Sequence, residues 1–195
     1  TFNSTTCKAC KIGRHQPDGG KSFCENCSSG TFQASARSPF CLPCFPGTYR
    51  ALPGGESCQS CRLGRYQNTI NATTCYDCPE GFYQKTMGQA SCLPCLPGEF
   101  GNETGMTNAC HKCAAGKVSG NSGSWNCSDC EAGQSSDTKG SAKCAACGAG
   151  KYSNVPGAVC TKCAKGQYRA GDDDDTSSCD DCPAGFYQKT MGQAS

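Results

Sequence analysis

The sequence predicts a small disulfide-rich, mainly irregular β fold: an elongated, solenoid-like rod of short β-hairpin units repeating about every 17 residues. Three observations carry this. Cys-x-x-Cys recurs eleven times in nearly constant register. Leu, Ile, Val and Phe together number only 18 of 195 residues, well under the roughly 20% below which a chain lacks the apolar surface for an ordinary core. A Gly stands three residues after each second Cys, and in most units an aromatic follows two residues later.

The motif opens at Cys7, Cys24, Cys41, Cys58, Cys75, Cys92, Cys110, Cys127, Cys144, Cys160 and Cys179, so the steps are 17, 17, 17, 17, 17, 18, 17, 17, 16 and 19 residues. Residues 1–6 read as the tail of a preceding unit. The eleven units then run 7–23, 24–40, 41–57, 58–74, 75–91, 92–109, 110–126, 127–143, 144–159, 160–178 and 179–195. The stretch GFYQKTMGQAS occurs at Gly81–Ser91 and again at Gly185–Ser195, an offset of 104 residues, or six units. The first copy runs straight into Cys92-Leu93-Pro94-Cys95, so another Cys is expected after Ser195. These residues are expected to be a segment of a longer tandem array.

Twenty-two cysteines must replace the missing core. That density belongs to secreted scaffolds, and closing a loop of about 15 residues gives roughly 3 kcal/mol of chain entropy per bridge. The net charge is +2, with 18 basic and 16 acidic residues dispersed along the chain. No basic stripe exists to neutralise phosphates, so nucleic acid is not expected as a partner. No run approaches the 18 or so apolar residues of a membrane span, and the first residues lack the pattern of a signal peptide.

Within a unit the invariant Gly, from Gly13 to Gly185, points to a backbone requirement. The aromatic after it is Phe32, Tyr49, Tyr66, Tyr83, Phe100, Tyr152, Tyr168 or Tyr187, with His15, Val118 and Ser135 as departures; it is expected to be the unit's miniature core. Seven residues after the first Gly a second marks a turn, replaced by Arg37, Asn71 and Asp173 in three units. Between the two glycines lie segments such as Thr48-Tyr49-Arg50, too short for helices, so a small hairpin inside each unit is expected. Two strands per unit at about 4.8 Å each would advance the rod on the order of 10 Å per unit.

Three chemistries compete for the cysteines. Zinc is suggested by C-x2-C-x13-C-x2-C, but an odd number of motifs strands one pair and no basic clusters accompany them. A redox centre needs Cys-x-x-Cys opening a helix after a strand, whereas Pro and Gly follow here. Structural disulfides are the expected reading. A bridge inside each Cys-x-x-Cys would restrain little. The favoured connectivity joins the second Cys of one unit to the first of the next: Cys10 with Cys24, Cys27 with Cys41, Cys44 with Cys58, Cys61 with Cys75, Cys78 with Cys92, Cys95 with Cys110, Cys113 with Cys127, Cys130 with Cys144, Cys147 with Cys160, and Cys163 with Cys179. Cys7 and Cys182 remain for neighbouring repeats. The rival joins first to first and second to second, as Cys7 with Cys24 and Cys10 with Cys27.

Units such as Cys41-Leu-Pro-Cys-Phe-Pro-Gly-Thr-Tyr49 and Cys75-Tyr-Asp-Cys-Pro-Glu-Gly-Phe-Tyr83 resemble the ephrin-receptor-like cysteine-rich repeat, and more distantly the modules of tumour-necrosis-factor receptors. The resemblance covers nearly the whole chain. It implies an extracellular, disulfide-laddered, elongated fold, found in animal receptor stalks and in cysteine-rich surface or secreted proteins of protists, and it implies no particular activity.

Five Asn-x-Ser/Thr sequons, at Asn3, Asn26, Asn71, Asn102 and Asn126, are candidate N-glycosylation sites. In those of Asn26 and Asn126 the middle residue is Cys, so glycosylation competes with bridging. Asp172–Asp175 offers oxygen ligands of the kind Ca²⁺ takes, but contiguous carboxylates splay apart without the spacing of a calcium loop, and a solvated loop is expected. His15 and His111 neighbour no nucleophile with an orienting acid and read as surface residues. Trp125 lies beside the Asn126 sequon. The expectation is a non-enzymatic structural glycoprotein, extracellular or at the cell surface, without cofactor. It would form a fibril, stalk or appendage, its partners being continuation or other copies of the same repeat. A receptor ectodomain binding a protein ligand is the alternative, and a zinc array the third.

Overall fold

A computed structural model describes residues 6–172 and 174–194. Among these, twenty two-residue strands pair into ten antiparallel hairpins, and no helix is present. The first strand of each hairpin is the dipeptide after the invariant Gly, and the second is the dipeptide enclosed by the next Cys-x-x-Cys. Thr31–Phe32 thus pairs with Leu42–Pro43, with Thr31 opposite Pro43 and Phe32 opposite Leu42. This corrects the expectation of a hairpin inside each unit: the return strand belongs to the following one. The physical reason is that the enclosed dipeptide is held extended from both sides. The Cys44 amide, for example, donates to the Gly30 carbonyl at 2.8 Å.

The chain divides into two compact units that interleave in sequence: Thr1–Pro79 with Tyr83–Leu93 and Thr104–Asn108, and Glu80–Phe82 with Pro94–Glu103 and Ala109–Ser195. In the first, disulfides join Cys10 to Cys24, Cys27 to Cys41, Cys44 to Cys58, Cys61 to Cys75 and Cys78 to Cys92. In the second they join Cys95 to Cys110, Cys113 to Cys127, Cys130 to Cys144, Cys147 to Cys160 and Cys163 to Cys179.

Both units use one pattern of backbone connection, seen clearly at Gly47. Its amide donates to the Gln67 carbonyl at 2.6 Å, and its own carbonyl accepts from the Cys61 amide at 2.9 Å. Its φ is +85°, and a Cβ added there would overlap the carbonyl oxygen of Gly88. Gln67 belongs to the next repeat and Gly88 to the one after it. The hairpins from Gly13 to Gly150 therefore lean on the two repeats that follow. The Gly has two reasons to be invariant: a left-handed backbone and a direct approach of one main chain to another. The turn glycine works in concert, its amide donating back to the second Cys of the preceding repeat, as from Gly54 to Cys27 at 2.7 Å. Arg37 and Asn71 occupy the same left-handed turn, with φ of 65° and 58°.

The centre of each repeat is its bridge. Cys27, Cys44, Cys61, Cys78, Cys95, Cys113 and Cys163 are completely buried, whereas the aromatics from Phe32 to Tyr168 are only half-buried. The expected aromatic core is thus corrected to a sulfur core with aromatic cover, because a side chain on a two-residue strand is covered from one side only. Gln closes the remaining gap. Gln67 is 2% exposed; its amide nitrogen donates to the Thr74 carbonyl at 2.7 Å and its oxygen accepts from the Thr69 amide at 3.0 Å. Gln33 and Gln84 do the same with Phe40 and Ser35, and with Ser91 and Thr86. Arg169 stands at the corresponding position. Its buried guanidinium donates to the carbonyls of Cys147, Gly148 and Lys151.

The repeated peptide GFYQKTMGQAS occurs in two settings. In the first copy Phe82–Tyr83 pairs with Leu93–Pro94 and is half-buried. In the second, Phe186 and Tyr187 form no strand and are 74% and 75% exposed.

Candidate functional site

Two kinds of chemistry are built into the repeats: the ladder of bridges and the surface that carries the sequons. In the ladder, Cα atoms of bridged cysteines lie 5.6–5.9 Å apart at sequence separations of 13–16. Among the described residues Cys7, exposed, and Cys182, half-buried, are the cysteines outside the ladder of bridges. A sulfur held in a bridge carries no thiolate charge to give to a metal.

Of the sequon asparagines, Asn26 lies on the strand Glu25–Asn26, Asn71 in the left-handed turn, Asn102 just after the strand Glu99–Phe100, and Asn126 beside Trp125; all four are exposed. Asn3 lies outside the described residues. The middle residues of the two Cys-containing sequons are bridged, Cys27 to Cys41 and Cys127 to Cys113. Trp125 is 58% exposed.

Of the acidic run, Asp172, Asp174 and Asp175 are exposed, and Asp173 lies outside the described residues. The Asp175 carboxyl is turned inward on its own loop: it accepts from the Ser177 hydroxyl and amide and from the Ser178 hydroxyl. The Ser177 hydroxyl first, then the Ser177 amide and the Ser178 hydroxyl, hold it below the ordinary carboxylate range. Cross-strand ion pairs join Arg65 to Asp77 and Lys117 to Asp129, each at 2.6 Å and half-exposed, a setting in which such pairs contribute little.

The two histidines part company. His111 is exposed on the strand His111–Lys112, its ring 5.6 Å from that of Phe100. His15 is not a plain surface residue, which corrects the sequence reading. It is half-buried, with Nδ1 3.2 Å from Cys41 Sγ. Its ring nitrogens and the sulfurs of Cys27 and Cys41 form the one group of three potential metal ligands among the described residues, with ligand atoms within 4.8 Å of one another. Sequence reasoning also missed the buried glutamines Gln33, Gln67 and Gln84, although Gln recurs three residues after the invariant Gly there and, half-buried, at Gln16 and Gln188.

A family model described as "Tyrosine-protein kinase ephrin type A/B receptor-like" matches residues 2–39, 64–113 and 150–195, together more than half of the chain. The chain belongs to this family. No curated protein matches it. The ephrin-receptor-like assignment agrees with the disulfide-rich tandem repeats seen here and names a scaffold. Among the described residues, no helix of this ephrin-receptor-like chain is long and apolar enough to cross a membrane.

Proposed function

We propose that this ephrin-receptor-like chain is a structural, non-enzymatic extracellular glycoprotein, a segment of repeat array that forms a fibril, stalk or surface appendage. The observation that carries the reading is the uniformity of the backbone connections. The same glycine-to-carbonyl bond, such as Gly30 to Arg50 at 2.8 Å or Gly133 to Ser153 at 2.6 Å, recurs in both compact units while the exposed side chains change from repeat to repeat. A fold that holds its main chain constant and lets its surface vary is suited to spacing rather than to one preorganised pocket. The ten bridges fit an oxidising compartment outside the cytosol. Glycans on Asn71 and Asn102, and on Asn26 and Asn126 where glycosylation precedes bridging, would cover the exposed edges of two-stranded hairpins.

Electron microscopy of the native material tests this directly. Filaments or stalks with a regular repeat are expected; discrete particles that show no elongated assembly would refute it. Incubation with an N-glycosidase should lower the mass, and an unchanged mass removes the glycoprotein part.

A receptor ectodomain binding a protein ligand is the second reading. The wording of the family description favours it, as do large apolar side chains left open to solvent, including Phe23 at 61%, Phe40 at 58% and Phe45 at 62% exposed. A protein ligand that binds the chain and loses affinity on Phe40→Ser substitution would establish this reading in place of the first.

A further inference from the structure

We propose that the Cys27–Cys41 bridge is a redox-gated zinc site: once opened by a dithiol reductant, its two thiolates and His15 hold one Zn²⁺. This is a single site inside the ladder, distinct from the zinc array considered from the sequence.

The argument begins with what His15 replaces. Eight repeats carry Phe or Tyr two residues after the invariant Gly, and this one carries an imidazole. In a later repeat Tyr49 lines a cleft with Cys75, the residue that stands to it as Cys41 stands to His15. At residue 15 the position of that aromatic carries instead a ring nitrogen 3.2 Å from the sulfur of Cys41.

A tetrahedral zinc with Zn–N near 2.0–2.1 Å and Zn–S near 2.3 Å holds its ligand atoms roughly 3.5–3.8 Å apart. The nitrogen is therefore already at about that distance from Cys41 Sγ, and all three ligand atoms lie within 4.8 Å of one another. The change required is for the two sulfurs to part from bonding distance to about 3.8 Å. The main chain at Cys27 is held while they do so: its amide donates to the Gly13 carbonyl at 3.0 Å and its carbonyl accepts from the Gly54 amide at 2.7 Å.

Access sets the order of events. Cys27 is completely buried, whereas Cys41 and His15 are half-exposed. A thiolate of the reductant attacks Cys41 Sγ, the S–S bond breaks, and the electron pair leaves on Cys27 Sγ. The second thiol of the reductant then attacks the mixed disulfide, releases the Cys41 thiolate and departs as a cyclic disulfide. The reductant gives two electrons to the bridge. Its two protons go to solvent as Zn²⁺ takes both thiolates. His15 binds through the lone pair of Nδ1, with its proton on Nε2, and water fills the fourth position.

The test uses the oxidised 195-residue chain, equilibrated in a dithiol redox buffer with and without buffered free Zn²⁺, then acid-quenched, alkylated and mapped. Zn²⁺ should raise the open fraction of Cys27–Cys41 at least tenfold, leave Cys44–Cys58 unchanged, and give one bound zinc per chain by native mass spectrometry. His15→Phe, which installs the aromatic of the other repeats, should abolish the shift. The proposal is overturned by no shift in the unsubstituted chain, by an equal shift at Cys44–Cys58, or by an equal shift with His15→Phe. The comparison of the two bridges within one molecule decides the matter even where the variant folds poorly.

Discussion

Gly47→Ala tests the claim that each hairpin rests on the main chain two repeats further on. Two costs add. A left-handed backbone with φ of +85° costs an L-residue about 1–2 kcal/mol. The new methyl also overlaps the Gly88 carbonyl oxygen, and separating the two strains the bonds from Gly47 to Gln67 and from Gly88 to Cys61, now 2.6 and 2.8 Å, each worth about 1 kcal/mol net. The sum is about 3–4 kcal/mol. Two controls separate the costs. Gly20 shares the conformation, with φ of +75°, but nothing lies within 4 Å of an added Cβ, so Gly20→Ala should cost about 1–2 kcal/mol. Gly148 has neither constraint, and Gly148→Ala should stay within about 0.5 kcal/mol. The assay is native-state hydrogen exchange, with quenching and reduction before mapping. The excess of about 2 kcal/mol for Gly47→Ala over Gly20→Ala corresponds to roughly 30-fold more frequent opening, read at 81–91 as well as at residue 47. Equal costs for these two substitutions, or full protection at 81–91, would show that the close approach to Gly88 carries no energy.

Gln67→Ala removes the donor to Thr74 and the acceptor from Thr69 in a side chain that is 2% exposed, and should cost about 1–3 kcal/mol, seen as faster exchange of the Thr69 amide. Arg37→Gly relieves a left-handed residue with φ of 65° and should stabilise its turn by about 1 kcal/mol; slower exchange of the residue 37 amide, which donates to the Cys10 carbonyl at 2.9 Å, is the readout. The Asp175 carboxyl is held below its ordinary range by Ser177 and Ser178. Its folded value is the lower one, so its contribution is fully present above the usual carboxylate value of about 3.9 and is lost as pH falls through the depressed value. The Ser177 amide resonance should hold steady down to about pH 4 and move only below it, and Asp175→Asn should abolish that movement.

Sequence and structure agree where a residue type has one physical use. Glycine at positive φ and cysteine at a fixed interval are such cases, and the turn at Gly54 or Asn71 was readable from residue type alone. The hairpin register was not, because a two-residue strand carries no alternation from which a partner could be read. Contact between Gly47 and Gly88 was hidden for a related reason: main chain meeting main chain leaves no side-chain pattern. Gln67 carries a signal that residue type alone does not resolve, since a polar residue beside a turn reads as solvated until its two backbone partners are seen. His15 was likewise indistinguishable from a surface substitution, because its neighbour Cys41 lies 26 residues away in sequence.

The dependence of each hairpin on later repeats also has a meaning for synthesis. Gly13 reaches its final surroundings only when Gly54 has been made, forty-one residues later. At about 5–20 residues per second that is an interval of roughly 2–8 s. During it Cys10, Cys24 and Cys27 are together on a chain whose hairpin has no support from the repeats to come. An oxidase acting within that interval closes bridges on a flexible peptide, and one acting after it closes them on a shaped one. The order of oxidation and elongation therefore decides whether a partner is selected by loop length or by the hairpin.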